Sequence, residues 1–306
     1  MKHYLRTILI VASAIVAISI PMDYALSDYL THSKSRIFVG WNDVIYDSIK
    51  ADLLVLGSSR AWVQYDTYII DSMLHTNSYN LGIDGSALNR QMLKYKVYEH
   101  YQCKPPKVLV LNMDFMSFKR TVGYEREQFF PYLLNQYNRT VFTEEEPFSW
   151  GELWLPMFRY YKQGAYSILV NGGPDNGLHK GYKGQEKKWN GEELLKVSVY
   201  YYEINETVTK EFDGFLKELK HQEVKVVFVL APAYYGWKEI VDNLPKFYET
   251  IGVFSDRYGF PILDYLDDTL SQDTAYFYNA MHLNKKGAEL FTVKLCQDLD
   301  SLGVLQ

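Results

Sequence analysis

The 306-residue sequence contains only two cysteines, Cys103 and Cys296, and neither lies in a CxxC or Cys/His pattern. Metal sites that use cysteine are recognised by such spacing, so no metal site and no cofactor are predicted. The two thiols can pair only if the fold brings them close, which the sequence leaves open. The chain also has no long basic stretch, and its formal net charge is −5. These features exclude a nucleic-acid partner from our expectations.

No internal repeat and no low-complexity tract is present, which excludes a repeat architecture. The hydrophobic fraction of 47% and the charged fraction of 23% are ordinary for a globular protein. Aromatic residues are abundant, with 27 Tyr, 16 Phe and 6 Trp. Aromatic side chains fill cores and interfaces, and they also suit a groove in which sugar rings stack. For any single residue, the core is the safer interpretation.

The N-terminus has the pattern of a membrane anchor or a signal segment, predicted for residues 1–22. Lys2 and Arg6 precede an apolar run, Thr7–Met22, and this charge placement predicts that the remainder of the chain is exported. About fifteen apolar residues span roughly 22 Å as a helix, short of the ~30 Å hydrocarbon core. That length also suits a signal peptide cleaved near 25–27. We favour the uncleaved anchor, followed by a polar connector over 23–50.

The rest of the chain, 51–306, predicts an α/β domain with a doubly wound parallel sheet. Short apolar runs alternate with helical segments, as in parallel sheets covered on both faces. From about 116 to 205 no strand pattern recurs, so we expect a long, aromatic, partly helical insertion over the site. Strands are predicted at about 52–57, 107–115, 224–230 and 261–264, and residues 78–86 are predicted to be a short strand running into a glycine-bearing turn.

The first strand stops abruptly at Gly57-Ser58-Ser59. Ligands of open α/β sheets bind beyond the carboxyl ends of the strands, so a serine here faces the binding crevice. The alternative is that Ser58 and Ser59 only cap the next helix, which serines often do.

Two other stretches can converge with these serines at the same edge of the sheet, namely 80–85 and 279–284. A serine nucleophile needs a base, and His282 can take the proton of Ser59. The backbone N–H groups of Ser59 and Gly85 can stabilise the oxyanion. The alternative for His282 is a structural histidine before a helix.

In these stretches the sequence resembles the SGNH/GDSL hydrolases. LGSSR resembles the first motif of the family, with Ser59 at the nucleophile and Ser58 in place of an aspartate. NLGIDGS resembles the second motif, with Gly85 as the oxyanion glycine, and AMHLNKKG resembles the last, with His282 as the base. The resemblance implies a flavodoxin-like sheet.

Two positions depart from the family. Asn279 stands where the family has the acid that orients the histidine, and it can accept the same hydrogen bond without supplying charge. In LNMDF, Met113 occupies the asparagine position if Asp114 sets the register, so Asn112 is the candidate oxyanion side chain. Nearby carboxylates that can replace the missing acid are Asp264, Asp267, Asp268 and Asp273.

The resemblance and the N-terminal segment together imply an exported serine esterase or O-acyltransferase, placed in a bacterial periplasm or cell envelope. Its expected substrates are acylated cell-surface glycans or small esters, and a membrane-bound O-acyltransferase is a possible partner. The alternative is a catalytically silent module that binds glycan or such a partner, which Asn279 and Met113 favour.

Overall fold

The computed structural model describes residues 1–162, 177–192, 199, 201 and 203–305. They fall into two compact units. Unit 1 comprises Met1–Asp47 with Val122–Asn176, and unit 2 comprises Ser48–Thr121 with Gly177–Gln306. Much of the predicted insertion thus groups with the N-terminal residues rather than with the sheet. The parts of the predicted insertion at 163–176, 193–198, 200 and 202 lie outside the described residues.

Unit 2 is built on a five-stranded parallel sheet of order β2-β1-β3-β4-β5. This is the doubly wound, flavodoxin-like order, and it confirms the predicted fold class. The chain leaves β1 toward β2 on one side and returns to β3 on the other, so a crevice opens at the carboxyl ends of β1 and β3. The strands are β1 Leu53–Leu56, β2 Ser78–Asn80, β3 Val108–Asn112, β4 Lys225–Leu230 and β5 Ile262–Asp264.

The central strands are buried on both faces, which is why they are near-continuous apolar runs. All five predicted strands are present. The strand predicted to reach residue 115 ends at Asn112, although Met113 still donates its N–H to Val229 O at 2.8 Å. After Met113 the chain turns at Asp114, whose side chain accepts the N–H of Met116 at 3.0 Å.

The helices cover both faces of the sheet and build unit 1. Two separate helices lie between β4 and β5, and two short helices follow β1. In chain order they are α1 Lys2–Thr31, α2 Arg36–Tyr46, α3 Ser59–Gln64, α4 Thr67–Leu74, α5 Leu88–Gln102, α6 Gln136–Glu145, α7 Trp150–Trp154, α8 Phe158–Lys162, α9 Glu206–His221, α10 Tyr235–Glu239, α11 Leu244–Tyr258 and α12 Lys285–Ser301. Short 3₁₀ turns lie at Arg126–Tyr132, Thr269–Gln272 and Thr274–Tyr276.

A small antiparallel hairpin, β6 Phe277–Asn279 and β7 His282–Leu283, precedes α12. The sequence pattern did not predict this hairpin, because each strand is only two or three residues long. It presents His282 at its second strand, and Asn284 then caps α12 by accepting the N–H of Gly287 at 3.0 Å.

In unit 1, α1 continues past residue 22 to Thr31 and is long and apolar enough to cross a membrane. The predicted connector, 23–50, therefore contains the end of α1 and all of α2. The core of unit 1 is aromatic: the ring of Trp41 packs edge-on against Phe129 and Phe142, and its Nε1 donates to Gln128 Oε1 at 2.7 Å.

The two cysteines are not paired. Cys103 ends α5 at the surface, whereas Cys296 is buried in α12. Burial raises the pKa of the Cys296 thiol to about 12, so this thiol stays protonated and unreactive.

Two helical glycines provide a test of the packing. A methyl group added at Gly252, inside α11, meets nothing within 4 Å, so Gly252→Ala should stabilise the protein by about 0.5–1 kcal/mol through helix propensity. At Gly287 the added Cβ would lie 2.3 Å from Tyr276 O, so Gly287→Ala should destabilise by about 1–3 kcal/mol. Thermal unfolding of the full chain in detergent measures both. Equal shifts for the two variants would show that α12 is not packed this closely.

Candidate functional site

The loop after β1 separates the roles of the two serines. Ser58 is buried, and its hydroxyl donates to Asp114 Oδ2 at 2.5 Å while accepting the N–H of Arg60 at 3.3 Å. Ser58 is therefore the cap of α3 and is tied to the loop after β3. Ser59 is partly buried, and its hydroxyl contacts His282 rather than Asp114. Gly57 packs closely against β3, since a Cβ added there would lie only 2.8 Å from Asn112 Cβ. The turn therefore lies tightly against the sheet.

The hairpin β6–β7 brings His282 onto Ser59. The distance from Ser59 Oγ to His282 Nε2 is 2.8 Å, and that from His282 Nδ1 to Asn279 Oδ1 is also 2.8 Å. The Asn279 oxygen additionally accepts the backbone N–H groups of Met281 and His282, both at 3.0 Å. Because backbone N–H groups can only donate, this atom is the amide oxygen, and Nδ1 of His282 must carry a proton. Nε2 is then the acceptor for the Ser59 hydroxyl.

The surroundings of His282 favour the neutral imidazole. Burial, and secondarily the positive charge of Arg60, lower the pKa of His282 to about 3. The ring of Tyr278 lies nearly parallel to the imidazole, with centroids 5.2 Å apart, and restricts its rotation. At neutral pH the group next to Ser59 is thus a hydrogen-bond acceptor held in one orientation.

The loop after β2 carries the expected oxyanion glycine. Asn80 fixes this loop to α3, since its Nδ2 donates to Ala61 O at 2.7 Å and its Oδ1 accepts the N–H of Gly82 at 2.9 Å. Gly85 lies at the exposed end of the loop with φ of 62°. Within the described residues, the N–H groups of Ser59 and Gly85 donate to no protein acceptor. Both remain available to a ligand.

The segment 177–192, from the end of the predicted insertion, supports all three motif stretches. It forms one backbone hydrogen bond with each of the second motif, α3 and the hairpin. These bonds are Asn80 N to Lys180 O at 2.9 Å, Lys183 N to Trp62 O at 3.2 Å, and Trp189 N to Phe277 O at 3.0 Å.

Asn112 is not brought to this crevice, which corrects the predicted oxyanion role. Its side chain is fully buried: Oδ1 accepts the Tyr65 hydroxyl at 2.7 Å, and Nδ2 has neither accessible surface nor a partner. Met113 is buried as well. Asn112 follows Val108 and Val110 on the same face of β3, so its side chain enters the core beneath the loop rather than the crevice above it.

The four carboxylates considered as substitutes for the missing acid are occupied elsewhere. In the described residues each has a partner other than His282. Asp264 accepts the Tyr248 hydroxyl at 2.9 Å, Asp267 pairs with Lys238 at 2.6 Å, Asp268 pairs with Lys294, and Asp273 accepts the N–H of Ala275 at 2.8 Å.

Three residues of the site were not identified as functional from the sequence. Asp114 holds Ser58, Arg60 places a buried cation near His282, and Tyr278 stacks on the imidazole. The sequence signals were their positions: Asp114 lies near the carboxyl end of the third predicted strand, Arg60 adjoins Ser59, and Tyr278 lies four residues before His282. Arg60 also donates to the carbonyl oxygen of Ala231 at the end of β4, so it spans the sheet edge beneath the site.

No protein-family model and no curated protein matches the chain. Among solved structures it is similar to the lipase/acylhydrolase from Enterococcus faecalis, at 8% identity and a TM-score of 0.42, covering 81% of this chain and 95% of that one. It is also similar to a GDSL-like lipase from Bacteroides thetaiotaomicron, at 11% identity and a TM-score of 0.37, covering 80% and 87%.

Likeness at this level carries no argument about activity, and the assignment of the fold rests on the molecule itself. The sheet order, the serine turn after β1, the glycine loop after β2 and the histidine before the last helix all have the arrangement that the sequence resemblance implies. The chain thus has a doubly wound, flavodoxin-like α/β fold, with the motif stretches placed where the resemblance to the SGNH/GDSL hydrolases implies.

Proposed function

We propose that the protein transfers acyl groups through an acyl-Ser59 intermediate, as an esterase or O-acyltransferase. The observation that carries the proposal is the continuous hydrogen-bonded relay from Ser59 Oγ through His282 to Asn279, with both links at 2.8 Å. A serine and a neutral, oriented histidine at this distance are the minimum required to activate a hydroxyl nucleophile.

The chemistry follows from the atoms present. Ser59 Oγ attacks the ester carbonyl carbon while its proton passes to His282 Nε2. The oxyanion of the tetrahedral intermediate accepts the N–H groups of Ser59 and Gly85. When the C–O bond breaks, the leaving alcohol takes the proton from His282 and the acyl group stays on Ser59. An incoming hydroxyl then repeats the steps in reverse: water gives hydrolysis, and a sugar hydroxyl gives transfer.

The proposed substrates are acylated glycans at the cell surface. Support comes from the resemblance of the motifs and from α1, which would hold the protein at a membrane with its site outside the cytoplasm. A membrane-bound O-acyltransferase that supplies or receives the acyl group fits the same placement.

One observation favours the second candidate, a silent binding module. Asn279 supplies no negative charge to stabilise the imidazolium that forms during attack. Burial and the positive charge of Arg60 both disfavour that protonated form of His282. A module that binds acylated glycan without turnover would retain the same crevice. Covalent labelling distinguishes the two.

Fluorophosphonate labelling tests the nucleophile. Ser59→Ala should abolish labelling because it removes the attacking oxygen. Ser58→Ala should retain most of it, because Ser58 is buried against Asp114 and only caps α3. Intact-mass spectrometry counts the label. Absence of labelling in the folded wild type supports the silent module, and loss in Ser58→Ala alone places the nucleophile one residue earlier.

The pH dependence of ester hydrolysis should reflect the depressed pKa of His282. A histidine with its ordinary pKa of about 6.5 would become protonated below that pH and lose activity. With a pKa of about 3, His282 stays neutral and competent through pH 5. We expect kcat/KM to be nearly constant from pH 8 to pH 5. An acid limb centred near 6.5 would contradict the burial and charge described here.

Asn279→Asp should raise kcat/KM by up to about tenfold, or ~1.4 kcal/mol of barrier, because a carboxylate stabilises the imidazolium. The same charge raises the pKa of His282, so the acid limb should move upward toward neutrality. Asp267→Asn is the matched control, because that exposed carboxylate pairs with Lys238 and should leave the profile unchanged. A tenfold loss in Asn279→Asp would indicate that another carboxylate already serves His282.

A further inference from the structure

Unit 1 exposes a group of large apolar side chains on α7, α8 and the turn between them. Trp150 is 68% exposed and Trp154 57%, and Tyr161, one turn into α8, is 86% exposed. Leu155 and Phe158, in the same stretch, are 41% and 37% exposed. We call these five residues the aromatic hairpin surface. Neighbouring exposed aromatics of this size are unusual on a soluble surface and mark an interaction site.

The aromatic hairpin surface is attached to α1 through hydrogen bonds to two residues one turn apart, Asp23 and Ser27. Asp23 is buried, and its carboxylate accepts the N–H of Met157 at 2.9 Å and the guanidinium of Arg159 at 2.6 Å. One turn later, the hydroxyls of Ser27 and Tyr160 are 2.8 Å apart. Met157 and Arg159 lie at the turn and in α8, directly between the exposed side chains, so the surface cannot move far from Asp23.

Asp23 is also the first residue after the apolar run of α1. Side chains along that run are exposed, whereas Asp23, Ser27 and Leu30 are buried in unit 1. The run spans roughly 22 Å, several ångströms less than the ~30 Å hydrocarbon core. A short apolar span is accommodated by local thinning of the bilayer, which leaves the residues that flank the span close to the bilayer surface. In a membrane crossed by α1, the level of Asp23, and with it the aromatic hairpin surface, would therefore fall at the membrane–water interface.

We propose that the aromatic hairpin surface lies in the headgroup region of the bilayer that α1 crosses. Trp and Tyr rings are enriched at this depth, because the ring body is apolar and the N–H or O–H group stays hydrated. The surface compensates for the short apolar run and holds unit 1 flat on the membrane. The proposal rests on the proposed membrane anchoring by α1 and is independent of the chemistry of Ser59.

The tryptophans provide a native reporter. The full-length protein is reconstituted into phosphatidylcholine vesicles with or without lipid brominated near the headgroup end of the acyl chain, which quenches tryptophan only at short range. Trp150 and Trp154 are two of the six tryptophans, so about a third of the emission should be quenched. The double variant Trp150→Phe/Trp154→Phe should lose most of this quenching. The matched control, Trp62→Phe/Trp237→Phe in unit 2, should keep it.

Circular dichroism checks that each variant is folded. Equal quenching in the Trp150→Phe/Trp154→Phe variant and in the wild type would overturn the proposal. So would quenching of Trp150 and Trp154 by aqueous iodide in intact vesicles, which would show a water-exposed surface. Protection from both lipid bromine and iodide would instead identify a protein occupant, and it would also overturn the proposal. Labelling of Ser59 does not enter any of these readouts, so failure here and failure of the acyl-transfer proposal are distinguishable.

Discussion

The amide oxygen of Asn279 accepts three N–H groups, and the arrangement of the site depends on this one atom. Two of the donors are backbone N–H groups, which close the turn between β6 and β7. The third is His282 Nδ1, which is thereby kept protonated so that Nε2 faces Ser59. A single neutral acceptor thus shapes the hairpin, selects the tautomer and aims the base. No carboxylate is needed for any of these three tasks.

Because Asn279 is an amide and not a carboxylate, it supplies no negative charge next to His282. A carboxylate would raise the pKa of His282, whereas here burial and Arg60 lower it. The resting state, with a neutral imidazole and an intact Ser59 hydroxyl, is therefore well stabilised, and the charge that develops during attack is not. The hydrogen bonds of Asn279 and His282 orient the base fully. In the proposed reaction, the N–H groups of Ser59 and Gly85 would supply the electrostatic stabilisation of the developing charge.

The sequence predicted the parts that depend on local pattern. Apolar runs ending in small residues located β1 and the serine turn, and the stretch AMHLNKKG located His282 ahead of the last helix. Asn112 was wrong because its side chain shares a face of β3 with Val108 and Val110 and lies in the core, where its amide oxygen accepts the Tyr65 hydroxyl. Ser58 with Asp114 and Asp23 with Arg159 were out of reach, because these bonds join residues 56 and 136 positions apart. No periodicity encodes such separations.

The Ser59–His282 hydrogen bond joins residues 223 positions apart. All five strands of the sheet precede the hairpin in the chain, so during synthesis from the N-terminus the nucleophile emerges long before its base. A growing chain can assemble the sheet and the serine turn while Ser59 is still an ordinary, unactivated hydroxyl. The Ser59–His282 hydrogen bond can form only when the hairpin docks onto α3, after the last strand of the sheet has been made.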